Sequence, residues 1–179
     1  MRVSLSVLLF LVLSQASLFS QDSTRYQPPG WGSYLETNLF VGYNFSPTDD
    51  GERTNYHAIE VGLWQGNVQR FLHPASISWY LSQELGLSSK DFIHGTKIGI
   101  SASAMFLTLG TELTYHTDYN KQVMAISPYF GLGGYPFKFT VGWRGKIMGK
   151  DFSALSPVNV NVSFAVIQLK SKRVDRSNR

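Results

Sequence analysis

The side chains best placed to do chemistry in this 179-residue, cysteine-free chain are its four histidines, His57, His73, His94 and His116. His116-Thr117-Asp118, with Ser101 or Ser103 from a neighbouring strand, would bring a nucleophile, a base and an orienting carboxylate to one rim. Such a set would suit a small lipid-modifying enzyme. No lipase signature surrounds it, however, and His116 reads better as an interfacial residue. No His, Asp and Glu group has ligand-like spacing, so neither a metal nor another cofactor is expected. The run Gly145-Lys146-Ile147-Met148-Gly149-Lys150-Asp151 is one residue short between its glycines for a phosphate loop and carries Asp where Ser or Thr is needed. No catalytic constellation stands out, and the reading is non-enzymatic. Seven charges inside strand-like segments remain to be explained: Glu36, Glu60, Glu84, Lys97, Glu112, Lys138 and Arg144.

Those segments alternate with period two, the signature of a strand whose faces meet different media. Over 34–44, Leu35, Thr37, Leu39, Val41 and Tyr43 share one phase, and Glu36, Asn38, Phe40 and Gly42 the other. Residues 56–64 and 76–85 repeat the pattern, with loops at 46–55 and 86–95 and a less regular connection over 65–75. Residues 96–117 are too long for one membrane crossing of roughly 9–11 residues, so they divide into a hairpin turning at 104–106. A turn at 118–121, a strand over 123–132, a tight turn at 133–136, a strand over 137–144, a polar loop over 145–157 and a last strand over 158–169 complete eight strands.

All seven strand charges fall on the polar phase, which is otherwise mostly Gly, Ser, Thr, Asn and Ala. A soluble sandwich would crowd its water-facing phase with Lys, Glu, Thr and Gln. Small residues suit a narrow lumen instead, and a Lys or Arg on a lipid face near midplane costs roughly 2–4 kcal/mol. The expected fold is an all-β, eight-stranded antiparallel up-and-down transmembrane β-barrel over 34–169, with the seven charges inside. Tyr43, Tyr56, Tyr115 and Trp143 would mark one rim, and Tyr34, Trp64, Phe106 and Phe137 the other. The long connection over 65–75 fits this topology least well. A soluble periplasmic β-barrel binding an apolar ligand is the alternative, since the last strand ends at Leu169 without the terminal aromatic common in bacterial barrels.

The amino terminus has the layout of a secretory signal peptide over 1–20: Arg2, an apolar stretch from Leu5 to Leu13, then small and polar residues. A flexible lead-in over 21–33 follows. The formal charge of +4 sits entirely in a basic tail over 170–179, which holds five basic residues and one acidic, so 11 of each sign remain elsewhere. A short charged end of this kind reads as a solvated tail, and nucleic acid is not an expected partner.

Four segments carry a resemblance: Lys97-Ile98-Gly99, Tyr115-His116-Thr117-Asp118, Ser127-Pro128-Tyr129-Phe130-Gly131-Leu132-Gly133 and Lys150-Asp151-Phe152. The half of the mature chain that holds them resembles a group of small, mostly uncharacterised outer-membrane β-barrel proteins of Gram-negative bacteria. Ala125, Ser127 and Tyr129 stand where that group tends to carry inward-facing charges. The resemblance implies fold and an outer-membrane location, with outer-membrane lipid and the outer-membrane assembly machinery as partners. Eight strands leave a lumen just wide enough for side chains to fill. The expected role is therefore structural or adhesive, with narrow selective transport next.

Overall fold

The protein is described by a computed structural model covering residues 32–47, 55–70, 74–87, 92–149 and 155–174. The expected signal peptide, most of the lead-in, His73 and the last five residues of the tail lie outside the described residues.

The chain forms nine strand segments: β1 (Gly32–Ser46), β2 (Tyr56–Arg70), β3 (Ala75–Gly86), β4 (His94–Ala104), β5 (Leu107–Thr117), β6 (Gln122–Gly134), β7 (Phe137–Trp143), β8 (Gly145–Gly149) and β9 (Val158–Arg173). Consecutive strands pair antiparallel along the wall from β1 to β7, β7 pairs with β9, and β9 returns to β1, so the sheet closes. β7 and β8 lie end to end against β6 and form one stave, giving an eight-stranded closed barrel.

The break in that stave has a cause in β6. Pairing between β6 and the stave is missing at Ser127 and Pro128, between Ile126↔Gly145 and Tyr129↔Gly142. Proline has no N–H to give to a ladder. Arg144 sits at this gap, and its backbone N–H turns to Pro157 O at 2.6 Å. The polar loop expected over 145–157 is thus shorter, because residues 145–149 continue the wall.

Closure fixes the lumen's size. From Tyr34 the pairs run Val68, Ser76, Ser103, Thr108, Gly131, Thr140 and Asn161, and return to β1 at Asn44. The circuit climbs from 34 to 44, a shear of ten residues. With standard strand rise and spacing, eight strands at this shear tilt by about 40° and enclose a barrel of about 8 Å radius. No open channel fits once side chains point inward.

β2 reaches Arg70, so the irregular connection expected over 65–75 shortens to 71–74. One end of the barrel then carries this link, the Met105–Phe106 turn and the Tyr135–Pro136 turn, together with the start of β1 at Gly32 and the end of β9 at Arg173. The other carries the connections over 47–55, 87–93, 118–121 and 150–157. They are called here the turn end and the loop end. At the turn end β1 begins at Gly32 and β9 runs on to Arg173, pairing Lys170, Ser171, Lys172 and Arg173 with residues 34–37.

Glycines in the inward phase make room for large neighbours. A Cβ at Gly99 would stand 2.3 Å from the Tyr80 ring, and one at Gly110 would stand 2.3 Å from that of Tyr129. Gly99→Val and Gly110→Val should each lose at least about 1–3 kcal/mol through overpacking. Gly145→Ala, whose new Cβ meets nothing closer than 3.6 Å, should stay within about 0.5 kcal/mol of the parent. Urea unfolding followed by tryptophan fluorescence measures the difference.

Candidate functional site

The lumen is filled in layers. At the loop end, Tyr56, Ala58, Ile93 and Val123 form a buried apolar cluster, with Leu155 packed against it. Ile93 and Leu155 come from connections rather than strands, and Ile93 is tied down where Gly86 N–H donates to its carbonyl at 2.8 Å. Residues from the loops therefore roof the lumen.

Below this cap lies an ionic layer. Lys97 on β4, without solvent access, places Nζ 2.5 Å from Glu84 Oε2 and 3.5 Å from Glu60 Oε2. His116 Nε2 stands 3.4 Å from the other Glu84 oxygen. Glu60 accepts from Asn44 Nδ2 at 2.8 Å, Asn161 Nδ2 at 2.9 Å and Ser82 Oγ at 2.5 Å. Asn161 also donates to Asn44 Oδ1 at 2.7 Å and accepts from Ser163 Oγ at 2.5 Å. Four strands besides its own thus contribute to holding one carboxylate. A buried charge is tolerated when it is both paired and hydrogen-bonded.

The middle layer is aromatic. Lys138 from β7 holds its ammonium 3.8 Å from the centroid of Tyr80 and 5.2 Å from those of Trp64 and Tyr129. Desolvated cations over aromatic faces gain about 2 kcal/mol or more. Phe40 meets Trp64 and Tyr80 edge-on at 5.8 Å and 6.0 Å. The Tyr80 hydroxyl donates to Glu112 Oε2 at 2.7 Å, and Trp64 Nε1 donates to Ser78 Oγ at 2.8 Å. These rings span the lumen as a septum.

Toward the turn end, Tyr135 packs on Trp64 at 5.1 Å. Glu36 is met by Arg70 at 2.5 Å, and that guanidinium also lies over the Tyr34 ring. Ser78 with Ser101, and Ser76 with Ser103, form hydroxyl pairs at 2.7 Å and 2.6 Å.

Of the seven charges expected inside, Glu36, Glu60, Glu84, Lys97, Glu112 and Lys138 are buried on the inward phase. Arg144 is half-buried at the break in the wall, where Nη1 donates to Ser156 O at 3.1 Å. Arg70 was not among the expected residues, because it fell in the connection assigned to 65–75. The arithmetic pointed to it. Four glutamates faced three cations, and Arg70 supplies the fourth.

Three placements are corrected. His116 is not an interfacial rim residue: it shares the inward phase of β5 with Glu112 and Thr114 and is fully buried against Glu84. Ser101 and Ser103 bond to other serines, so the three-residue catalytic arrangement does not assemble from them. Trp64 is not at a rim, because β2 continues six residues beyond it and places it in the septum. Tyr56 is at the loop end but turned inward beneath the cap. Outside, Tyr43 bonds to the His57 ring and Tyr115 donates to Gln122 Oε1 at 3.0 Å. Among the described residues no metal-binding cluster is found.

No family model matches this chain. No curated protein matches it either.

Lys97→Met should cost about 3–5 kcal/mol, since it leaves Glu84 and Glu60 without their shared cation. Combining it with Glu84→Gln should cost less than the sum of the two single changes, because each removes the other's unpaired charge. A double-mutant cycle from urea unfolding measures that coupling.

Proposed function

We propose that this chain is an integral outer-membrane barrel of a Gram-negative bacterium, closed to diffusion, whose role is structural or adhesive. The resemblance to small outer-membrane proteins is part of this proposal. The observation that carries it is the inversion of polarity across the wall. The inward phase holds every buried ion described above, whereas the outward phase exposes Ile77, Ile98, Ile100, Leu109, Leu132, Phe130 and Trp143 among many others. A soluble barrel hides such side chains, and an apolar surface that encircles the molecule needs a cover.

Dimensions support the same reading. The shortest complete staves, β4 and β5, have 11 residues each. At 3.3 Å per residue and a tilt of about 40° they rise roughly 25–28 Å, the height of the apolar band of an outer-membrane barrel. Three of the four opposite connections, over 47–55, 87–93 and 150–157, are longer than any link at the turn end, the asymmetry of barrels whose turns face the periplasm. On that orientation the loop end is extracellular, with outer-membrane lipid around the wall and the assembly machinery as the partner of insertion. The alternative, a soluble barrel holding an apolar ligand, lacks support because the lumen is polar and filled.

The septum argues against free passage and for a scaffold that carries its loops. In a Gram-negative host the protein should fractionate with the outer membrane and migrate differently before and after boiling. Val160→Arg should abolish that heat-modifiable form, while Ser101→Asn should keep it. In planar bilayers the parent should conduct negligibly, and Trp64→Ala with Tyr80→Ala should raise conductance. A soluble periplasmic species with unchanged mobility would overturn the membrane reading.

A further inference from the structure

The turn between β4 and β5 breaks the usual rule for its type. Ala104 pairs with Leu107, so the turn has only two residues, Met105 and Phe106. Both adopt positive φ, at 52° and 87°. Two-residue hairpins of this hand favour Asn-Gly, because each bulky residue there costs roughly 1–2 kcal/mol. Here the residues are large, apolar and exposed: Met105 at 58%, Phe106 at 74% and the following Leu107 at 66%. A turn that met water would gain nothing from this choice.

Two of the turn's four backbone polar groups also find partners outside the hairpin. Met105 N–H donates to Pro74 O at 3.0 Å, and Phe106 C=O accepts from Gly133 N–H at 2.7 Å. The first reaches sideways to the link before β3 and the second to the end of β6. In hydrocarbon every backbone polar group needs an internal partner. Beside the turn lies a cleft of about 260 Å³, lined by Val68, Pro74, Phe106, Tyr135, Pro136 and Phe137 with a few smaller residues. Of the three hydroxyls in it, those of Ser76 and Ser103 are 2.6 Å apart and can satisfy each other, while that of Tyr135 is buried without a partner among the described residues. The cleft is smaller than the roughly 300–1,000 Å³ pockets that hold drug-sized ligands. It lies at the rim: Phe106 and Phe137 in its lining are exposed beside the outward apolar surface, while Val68, Ser76 and Ser103 face inward.

We propose that the Met105–Phe106 turn lies within hydrocarbon and that the cleft beside it takes one acyl chain of a lipid from the leaflet nearest the turns. The inference rests on the membrane reading and deepens it. The opposite side of the turn end is polar outside, with Gln65, Asn67, Lys170 and Lys172, so the barrel meets that leaflet obliquely. The lipid at the low side then finds an apolar recess where a periplasmic turn would ordinarily be.

The absence of cysteine allows single labels. Phe106→Cys and Ala75→Cys, the latter also lining the cleft, are each labelled with bimane in the full chain. The labelled proteins are reconstituted in vesicles of phosphatidylcholine with brominated acyl chains. Leu109→Cys on the outward face of β5 serves as the lipid reference, and Lys172→Cys as the aqueous one. Quenching of the labels at 75 and 106 should match that at 109 and exceed that at 172 severalfold, with soluble iodide giving the reverse order. Labels at 75 and 106 that follow 172, in protein that remains heat-modifiable, would overturn the acyl-chain site and leave the barrel in its membrane. Failure of quenching at 109 as well would overturn both.

Discussion

A lysine with no access to water, held between two glutamates, sets the terms for the rest of this molecule. Lys97, Glu84 and Glu60 come from three adjacent strands, and a one-residue slip in any of them would turn a charge outward. Four internal glutamates are matched by Arg70, Lys97, Lys138 and Arg144, so the lumen is formally neutral when histidine is left out of the count. Neutrality and hydrogen bonding make the polar filling tolerable, though not a source of large net stability. What the filling supplies is register.

The aromatic septum solves a different problem. Lys138 has no carboxylate among its described ion pairs, and the ring faces of Tyr80, Trp64 and Tyr129 take that place. Such a layer is both buried and polarised, so it fills the lumen's width without demanding further ions. Gly99 and Gly110 are the counterpart of the rings, since only a residue without Cβ lets Tyr80 and Tyr129 lie flat against the wall. Large residue on one strand and glycine on the next is how the interior of a barrel about 8 Å in radius is packed.

The period-two alternation made most of the wall legible in the sequence, including the inward phase of Glu36, Glu60, Glu84, Lys97, Glu112 and Lys138. It failed where the outer medium changes. Beyond Leu63 the outward residues of β2 become Gln65, Asn67 and Gln69, while the inward ones are Trp64, Gly66 and Val68. Polarity there is reversed, so the strand looked like a loop and took Arg70 with it. The same inversion hid the end of β9, where Lys170 and Lys172 are held by backbone pairing to β1 and not by any apolar face. His116 was misplaced because its neighbours Thr117 and Asp118 read as a rim. Its partner Glu84 is 32 residues away in sequence, beyond the reach of local pattern.

The bonds from Asn161 to Asn44 and to Glu60 cross the junction of the first and last strands, at sequence separations of 117 and 101. The companion bond from Asn44 to Glu60 spans only 16. Bringing the ends of the longer loop together costs about 2 kcal/mol more in chain entropy than closing the shorter one. Hairpins can therefore zip in order from β1 to β9 with Glu60 only partly satisfied, and its last ligand arrives when the cylinder joins. Time order is written into this carboxylate: a wall closed in the wrong register would leave it short of a donor, and reopening would be favoured over persistence.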